Sequence, residues 1–344
     1  MPHRSAAPDP STASDMDAAT ARHAISALLR SCGLVAERVR PVARVYCDIH
    51  RITPARGGAV AGDVALRIYP AERVDVRPIE SEIAWLRALA DEGLHVPRPI
   101  ADGQGRFIHA WQPDPAQPPR HAVLLTWLGG RMHDRGLTPV RLRRVGALTA
   151  RMHRSAVRLA RAGAITTGRL AYDSDLRGWA GVTRARALGP AAAPVAQAAA
   201  RRLARDLAAL PSSPDNYGFM HGDLHQWNLL FARDVAGAID FSDCGWGHHA
   251  MDLAAPLQFL RHWLLDQHDH RAQAPRLQQA LLDGYAEVAA LPADIDRQVD
   301  VYIVARMFMS LDWILDDWPR PDHRPWRAKF VDGCAQAFRA YADA

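Results

Sequence analysis

Lysine is nearly absent from this chain: of its 42 basic residues only Lys329 is a lysine. Any task that a lysine performs elsewhere therefore falls to arginine here, where geometry allows. No run of 18 apolar residues occurs, which excludes an ordinary membrane-spanning helix. Cys32, Cys47, Cys244 and Cys334 lie far apart and form no C-x-x-C pair. Reduced structural thiols are expected rather than a disulfide framework. The net charge of +5 is mild, with acids and bases interspersed and no basic stripe. That favours anionic ligands slightly and argues against nucleic acid. The first seventeen residues, MPHRSAAPDPSTASDMD, lack the apolar centre of a signal peptide. A flexible tail and a cytoplasmic protein are the expectation.

What is present suits a packed protein. A chain of 344 residues with a hydrophobic fraction of 49% supports one large domain or two. Residues 17–32 have helical spacing, with Gly33 where a C-terminal cap belongs. From about Arg40 the texture changes to strands: VARVYCDIHRI and DVALRIYP, separated by ARGGAVAGD. Residues 78–91 predict a helix ended by Gly93, RPIADGQGRFIHAW a hairpin with a DGQG turn, and 121–127 a buried strand. After Gly129–Gly130 the pattern turns helical. Residues 139–161 place Leu142, Val145, Leu148, Met152 and Leu159 on one face, with seven arginines around the remainder. Helices follow near 194–210, 251–266, 275–290, 294–317 and 326–342. The expected organisation is an α+β, two-lobed one: a tail (1–17), a small antiparallel-sheet lobe (18–128), a two-glycine hinge, and a larger helical lobe (129–344).

One stretch carries chemistry. FMHGDLHQWNLLF, residues 219–231, sets an acid, an amide and two histidines between apolar flanks. Buried polar groups are costly unless paired, so such crowding requires a reason. Asp223 precedes Asn228 by five positions, and Asp240 in AIDFSDCGWG follows twelve later. Phosphoryl transfer needs a proton acceptor for the attacking hydroxyl and hard oxygen ligands for magnesium. Asp223 suits the first task; Asn228 and Asp240 suit the second. Protein kinases use the same acid–x4–amide spacing with a later metal-binding aspartate.

HGDLHQWN with IDFSDCGWGHHAMDLA resembles the aminoglycoside phosphotransferase/choline kinase superfamily, kinase-like enzymes that mostly phosphorylate small-molecule hydroxyls. LRIYPAERV, IESEIAWLRAL, HVPRPI, LLTWLGG and RMFMSLDWILDDW resemble the branch holding type II homoserine kinases and a bacterial stress-response Ser/Thr kinase. The resemblance spans residues 18–340 and implies ATP and magnesium as cofactors, bound in a cleft. It implies Asp223 as catalytic base, with His221 stiffening the same loop, and Asn228 and Asp240 as magnesium ligands. Asp252 ties down the loop from a helix start. Asp243 and His225 orient the loop or face substrate. A small-molecule hydroxyl is the expected acceptor, without nucleic acid or membrane as partner. A protein Ser/Thr substrate and a nucleotide-sensing pseudokinase are the rival readings.

The pattern departs from protein kinases in two places. Where a strand lysine would touch the nucleotide phosphates, this chain has Arg67, with Glu82 as its expected partner and Glu80 as the alternative. A Gly-rich phosphate loop is missing, and the turn near Tyr46–Asp48 is the expected substitute. Thr126 to Leu128 are expected to offer backbone groups to adenine. On the late helix, Trp313 and Asp317 could surround a cationic or polyhydroxyl substrate, or form an aromatic core with an acidic rim. His248 and His249 leave packing and substrate roles both open.

Overall fold

The structure is a computed structural model describing residues 18–44, 47–55, 60–71, 75–132, 137–169, 171–172, 188, 192–258, 260–261, 268–316 and 324–344. The expected tail therefore lies outside the described residues. Contacts divide the chain into two compact units. One comprises residues up to Val76 with Arg98–Trp127; the other comprises Arg77–Pro97 with Leu128–Ala344.

The first unit is helix α1 (Ala18–Ser31) on an antiparallel sheet. Its strands are β1 (Ala36–Arg44), β2 (Asp48–Pro54), β3 (Val64–Ile68), β4 (Pro99–Ile100), β5 (Ile108–Trp111) and β6 (Arg120–Thr126), in the order β1-β2-β3-β6-β4, with β5 also on β6. Val64, Leu66 and Ile68 alternate onto one face with Ala122 and Leu124, and pack with Ile25 and Leu29 of α1. Period-two alternation sends Arg67 to the opposite face.

VARVYCDIHRI holds the closing part of a hairpin, with Arg44 paired to Asp48; of the turn expected near Tyr46–Asp48, Tyr46 lies outside the described residues. One expectation changes here. The DGQG segment does turn, but β4 and β5 do not pair with each other. Both lie along one edge of β6, β4 opposite Leu125 and Leu124 and β5 opposite Val123 to Arg120. Asp102 explains the return to that edge. Its carboxylate accepts the N–H groups of Gln104 and Arg106, each at 2.9 Å, and closes the loop on itself.

The second unit is mainly helical: α2 (Arg77–Asp91), α3 (Pro139–Arg161), α4 (Ala193–Ala208), α5 (Ala250–Gln258), α6 (His268–Ala286), α7 (Ile295–Asp316) and α8 (Arg324–Asp343). Helix α3 starts where the sequence places it, with Thr138 Oγ1 accepting from Arg141 N and proline in the first turn. It meets α6 closely: a Cβ on Gly146 or on Gly284 would overlap the other helix's backbone. Helix α2, expected with the sheet, packs within this unit. Its Trp85 is fully buried, edge-on to Phe219 and Phe241 with ring centroids 5.3 Å apart.

Two short antiparallel ribbons complete the unit. β7 (Tyr217–Met220) pairs with β10 (Gly245–His248), and β8 (Leu229–Ala232) with β9 (Val235–Ala238). The apolar flanks of FMHGDLHQWNLLF are thus strands β7 and β8, and the polar residues are the loop between them.

Candidate active site

The two ribbons hold two loops against each other. His221 to Asn228 join β7 to β8; Ile239 to Cys244 join β9 to β10. Ile239 N–H donates to Asn228 O at 2.9 Å, and His221 Nε2–H donates to Ile239 O at 3.0 Å. Asp240, the next residue, is exposed and takes the left-handed conformation, φ 62°. For a non-glycine residue that conformation is uncommon and concentrates at functional sites.

Asp223 is half-buried and held from two sides. Arg306 Nη2 donates to its Oδ1 at 2.8 Å, and His225 Nε2 lies 3.3 Å from its Oδ2. Burial pushes the carboxyl pKa upward, but the charges and hydrogen bonds of His225 and Arg306 outweigh it and hold the group well below the usual 3.8. It is a carboxylate at neutral pH, with lone pairs left to accept a further donor.

Asn228 donates its amide N–H to Asp223 O at 2.9 Å. Its amide oxygen is therefore the atom left for a hard cation. Asp240 supplies a carboxylate one residue beyond the Ile239–Asn228 hydrogen bond. An amide oxygen and a carboxylate suit magnesium, whose remaining positions go to phosphate and water. Among the described residues, no group of three or more His, Cys, Asp or Glu could hold a metal by itself.

Asp252 anchors the loop from α5. Its Oδ2 accepts from His221 N and its Oδ1 from Gly222 N, both at 2.8 Å. Oδ2 also accepts from His153 Nε2 at 3.0 Å, while His153 Nδ1 accepts from the Tyr285 hydroxyl at 3.0 Å. Burial raises the Asp252 pKa, but His153 and the loop amides hold it below 3.8. His221, implied in the catalytic loop, is fully buried, and burial lowers its pKa. It is neutral, with Nδ1 accepting from Asp223 N at 3.3 Å. Its hydrogen bonds run to Asp252, Ile239 O and Asp223 N.

The remaining expected residues are placed as follows. Arg67 is 5% exposed in β3, between Ile49 and Val123 on the neighbouring strands. Glu82 is 2% exposed on α2 whereas Glu80 is exposed, so the two candidate partners differ sharply in environment. Thr126 N–H goes to Arg98 O at 2.8 Å and Trp127 N–H to Asp63 O at 2.9 Å. Those two donors are spent within the sheet unit. Asp243 pairs with Arg169, and Tyr172 donates to Asp243 O at 2.6 Å. His248 and His249 are buried, His248 Nδ1 sharing a hydrogen bond with the Tyr302 hydroxyl at 2.7 Å and His249 stacking on His153 at 4.0 Å. Both pack. Trp313 lies on α7 with its side chain outside the described residues, as does Asp317 entirely.

Sequence reading passes over Arg306 and the His153–Tyr285 pair. A signal for the first exists: Arg306 is the one charged residue in VYIVARMFMSL, and a charge in such a run needs a buried partner. His153 falls on the apolar face of α3, where a buried imidazole also demands partners.

An antiparallel-sheet unit, a helical unit and an acid–amide–acid set on two hydrogen-bonded loops define a kinase-like phosphoryl-transfer protein. The chain belongs to the phosphotransferase enzyme family, whose sequence pattern matches residues 48–291. Among solved structures it is similar to the amicoumacin kinase hAmiN, in complex with AMP-PNP, Ca2+ and Ami. That likeness covers 90% of this chain and 92% of the other, at 19% identity and a TM-score of 0.73. A microcompartment-associated aminopropanol kinase is similar over 89% and 91%, at 24% identity and a TM-score of 0.71. A spectinomycin phosphotransferase in complex with ADP and spectinomycin is similar over 94% and 98%, at 12% identity and a TM-score of 0.58. At these identities the likeness speaks for the fold. The search of curated proteins finds no match. Among the described residues no helix is long and apolar enough to cross a membrane.

Proposed function

We propose that this phosphotransferase moves the γ-phosphoryl group of ATP to a hydroxyl of a small molecule: an amino alcohol, a sugar or an aminoglycoside-like compound. The observation that carries the reading is the linked set of Asp223, Asn228 and Asp240. A half-exposed carboxylate, an oriented amide oxygen and a second carboxylate sit on two loops joined by hydrogen bonds. The small-molecule class is supported by the aminopropanol, amicoumacin and spectinomycin enzymes that share the fold.

In this reading the acceptor hydroxyl donates its hydrogen bond to Asp223 and is aligned on the γ-phosphorus. The new O–P bond forms as the bridging bond to the β-phosphate breaks, the hydroxyl proton passes to Asp223, and ADP leaves. Such transfers run through loose transition states, in which the proton moves late, so a weakly basic, well-held carboxylate suffices. Asn228 and Asp240 would hold magnesium, which would supply positive charge to offset the charge developing on the phosphates. Arg67 is the proposed cation for the nucleotide phosphates, and the Leu128 backbone the proposed partner of adenine.

The test is coupled ADP release with MgATP and a panel of 1-amino-2-propanol, homoserine and spectinomycin, against a no-acceptor blank. At least one acceptor is expected to raise the rate about tenfold or more over the blank, since water is a poorly held nucleophile. A rate equal to the blank for every hydroxyl, with transfer to a protein instead, contradicts the small-molecule reading.

A further inference from the structure

Helix α7 sends one cation into the catalytic loop. Arg306 is 4% exposed and is the only charged residue between Asp300 and Asp312. Its Nη1 donates to Gly222 O and its Nη2 to Asp223 Oδ1, both at 2.8 Å. Among the described residues Asp223 is the carboxylate it pairs with. Burying a guanidinium is costly unless its donors are satisfied and its charge is met.

The placement is informative because a more deeply buried carboxylate occupies the same loop region. Asp252 is 1% exposed but is filled by two loop amides and His153. Arg306 meets instead the acid whose side chain is 31% exposed. A carboxylate offers about four lone-pair positions. Arg306 takes one on Oδ1 and His225 approaches Oδ2, which fixes both torsions of the side chain and leaves positions open to solvent. The second contact, to Gly222 O, fixes the peptide that carries Asp223.

We propose that Arg306 is a positioning residue: from α7 it sets the carboxylate plane of Asp223 for the acceptor hydroxyl. The proposal rests on the reading of Asp223 as the base. Arg306 acts through Asp223, so its removal slows the chemical step and leaves nucleotide affinity largely alone. A misplacement of about 1 Å at a reacting group costs on the order of 100-fold in rate.

Two measurements test this. The first is steady-state ADP release with the best acceptor of the panel. Arg306→Met is expected to lower kcat about 10- to 100-fold, with KM for ATP within about twofold. Arg306→Lys, which keeps the charge and one contact, is expected to recover at least about a third of the lost rate on a logarithmic scale. A kcat within twofold of wild type in Arg306→Met overturns the proposal. So does a loss carried by KM for ATP, or a lysine variant no better than methionine. The second is a double-mutant cycle of Arg306→Met and Asp223→Ala, each of which removes the pair, in urea unfolding, which needs no activity. Coupling of about fivefold or more in the unfolding constant is expected; coupling below twofold overturns the proposal. If wild type shows no acceptor-dependent turnover while the cycle shows coupling, the functional reading fails and the Arg306–Asp223 pairing stands.

Discussion

His153 Nε2 lies 3.0 Å from Asp252 Oδ2, with both side chains essentially out of solvent. The contact joins α3 to α5 and ends, through Asp252, on the amides of His221 and Gly222. The loop from His221 to Asn228 is therefore held by the helical core rather than by its own ribbon alone. Removing the carboxylate leaves two buried N–H groups and a histidine without an acceptor. Asp252→Ala is expected to lose about 3–5 kcal/mol in urea unfolding. Asp300→Ala, whose pair with Arg261 is largely exposed, is expected to lose less than about 0.5 kcal/mol. Equal losses in the two variants contradict the anchoring role.

His249 gives the stability a pH dependence. It is buried and stacked on His153; burial and the neighbouring His153 lower its pKa well below 6.5, with Asp252 acting in the opposite direction. A histidine kept neutral in the fold binds its proton only on unfolding. Its contribution is present above pH 6.5 and is lost as pH falls below that value, by up to about 1.4 kcal/mol per unit. His221 adds in the same direction. Urea midpoints at pH 7.5, 6.5 and 5.5 are expected to fall most over the last step, and His249→Gln is expected to flatten it. A flat wild-type profile is the contrary result.

Gly222 is required at its position twice over. Its φ is +83°, and a Cβ there would overlap the Tyr172 hydroxyl. Left-handed strain and overpacking together predict a loss of about 2–4 kcal/mol for Gly222→Ala. The shift also moves Asp223, so kcat is expected to fall more than stability alone accounts for. Calorimetry paired with ADP release at a temperature where the variant stays folded checks both parts.

Much of this was legible in the residues, and the failures are physical. Helix α3 spans Pro139–Arg161 as its spacing predicts, because a Thr cap, a first-turn proline and a long amphipathic stripe all agree. The loop was legible because Asp223, Asn228 and Asp240 carry their chemistry in side-chain type and spacing. Arg306 was not, because its role is a pairing across 83 residues, which no local pattern encodes. The β4–β5 segment misled for a related reason. A good turn sequence reports that the chain reverses, not which strand receives it, and β6 offers one edge long enough for both. The depth at which His221 lies was not legible in the sequence, since burial depends on Asp252 and Ile239 being brought to it.

Arg67 is expected to do the work of the missing lysine on the nucleotide phosphates. Arg67→Met is expected to weaken ATP binding about tenfold or more by calorimetric titration, and Arg67→Lys substantially less. Unchanged affinity in the methionine variant excludes Arg67 from the nucleotide site.

The most direct measurement is label transfer from γ-labelled ATP to the best acceptor, by wild type and by Asp223→Asn, with ATP affinity determined on the same samples. Asparagine keeps the size of the side chain and an oxygen for Arg306, whereas alanine would strand a buried guanidinium. The account predicts a loss of about 10²- to 10⁴-fold in transfer with ATP affinity within about twofold. Transfer within tenfold of wild type, or a loss that tracks ATP affinity, contradicts Asp223 as the base.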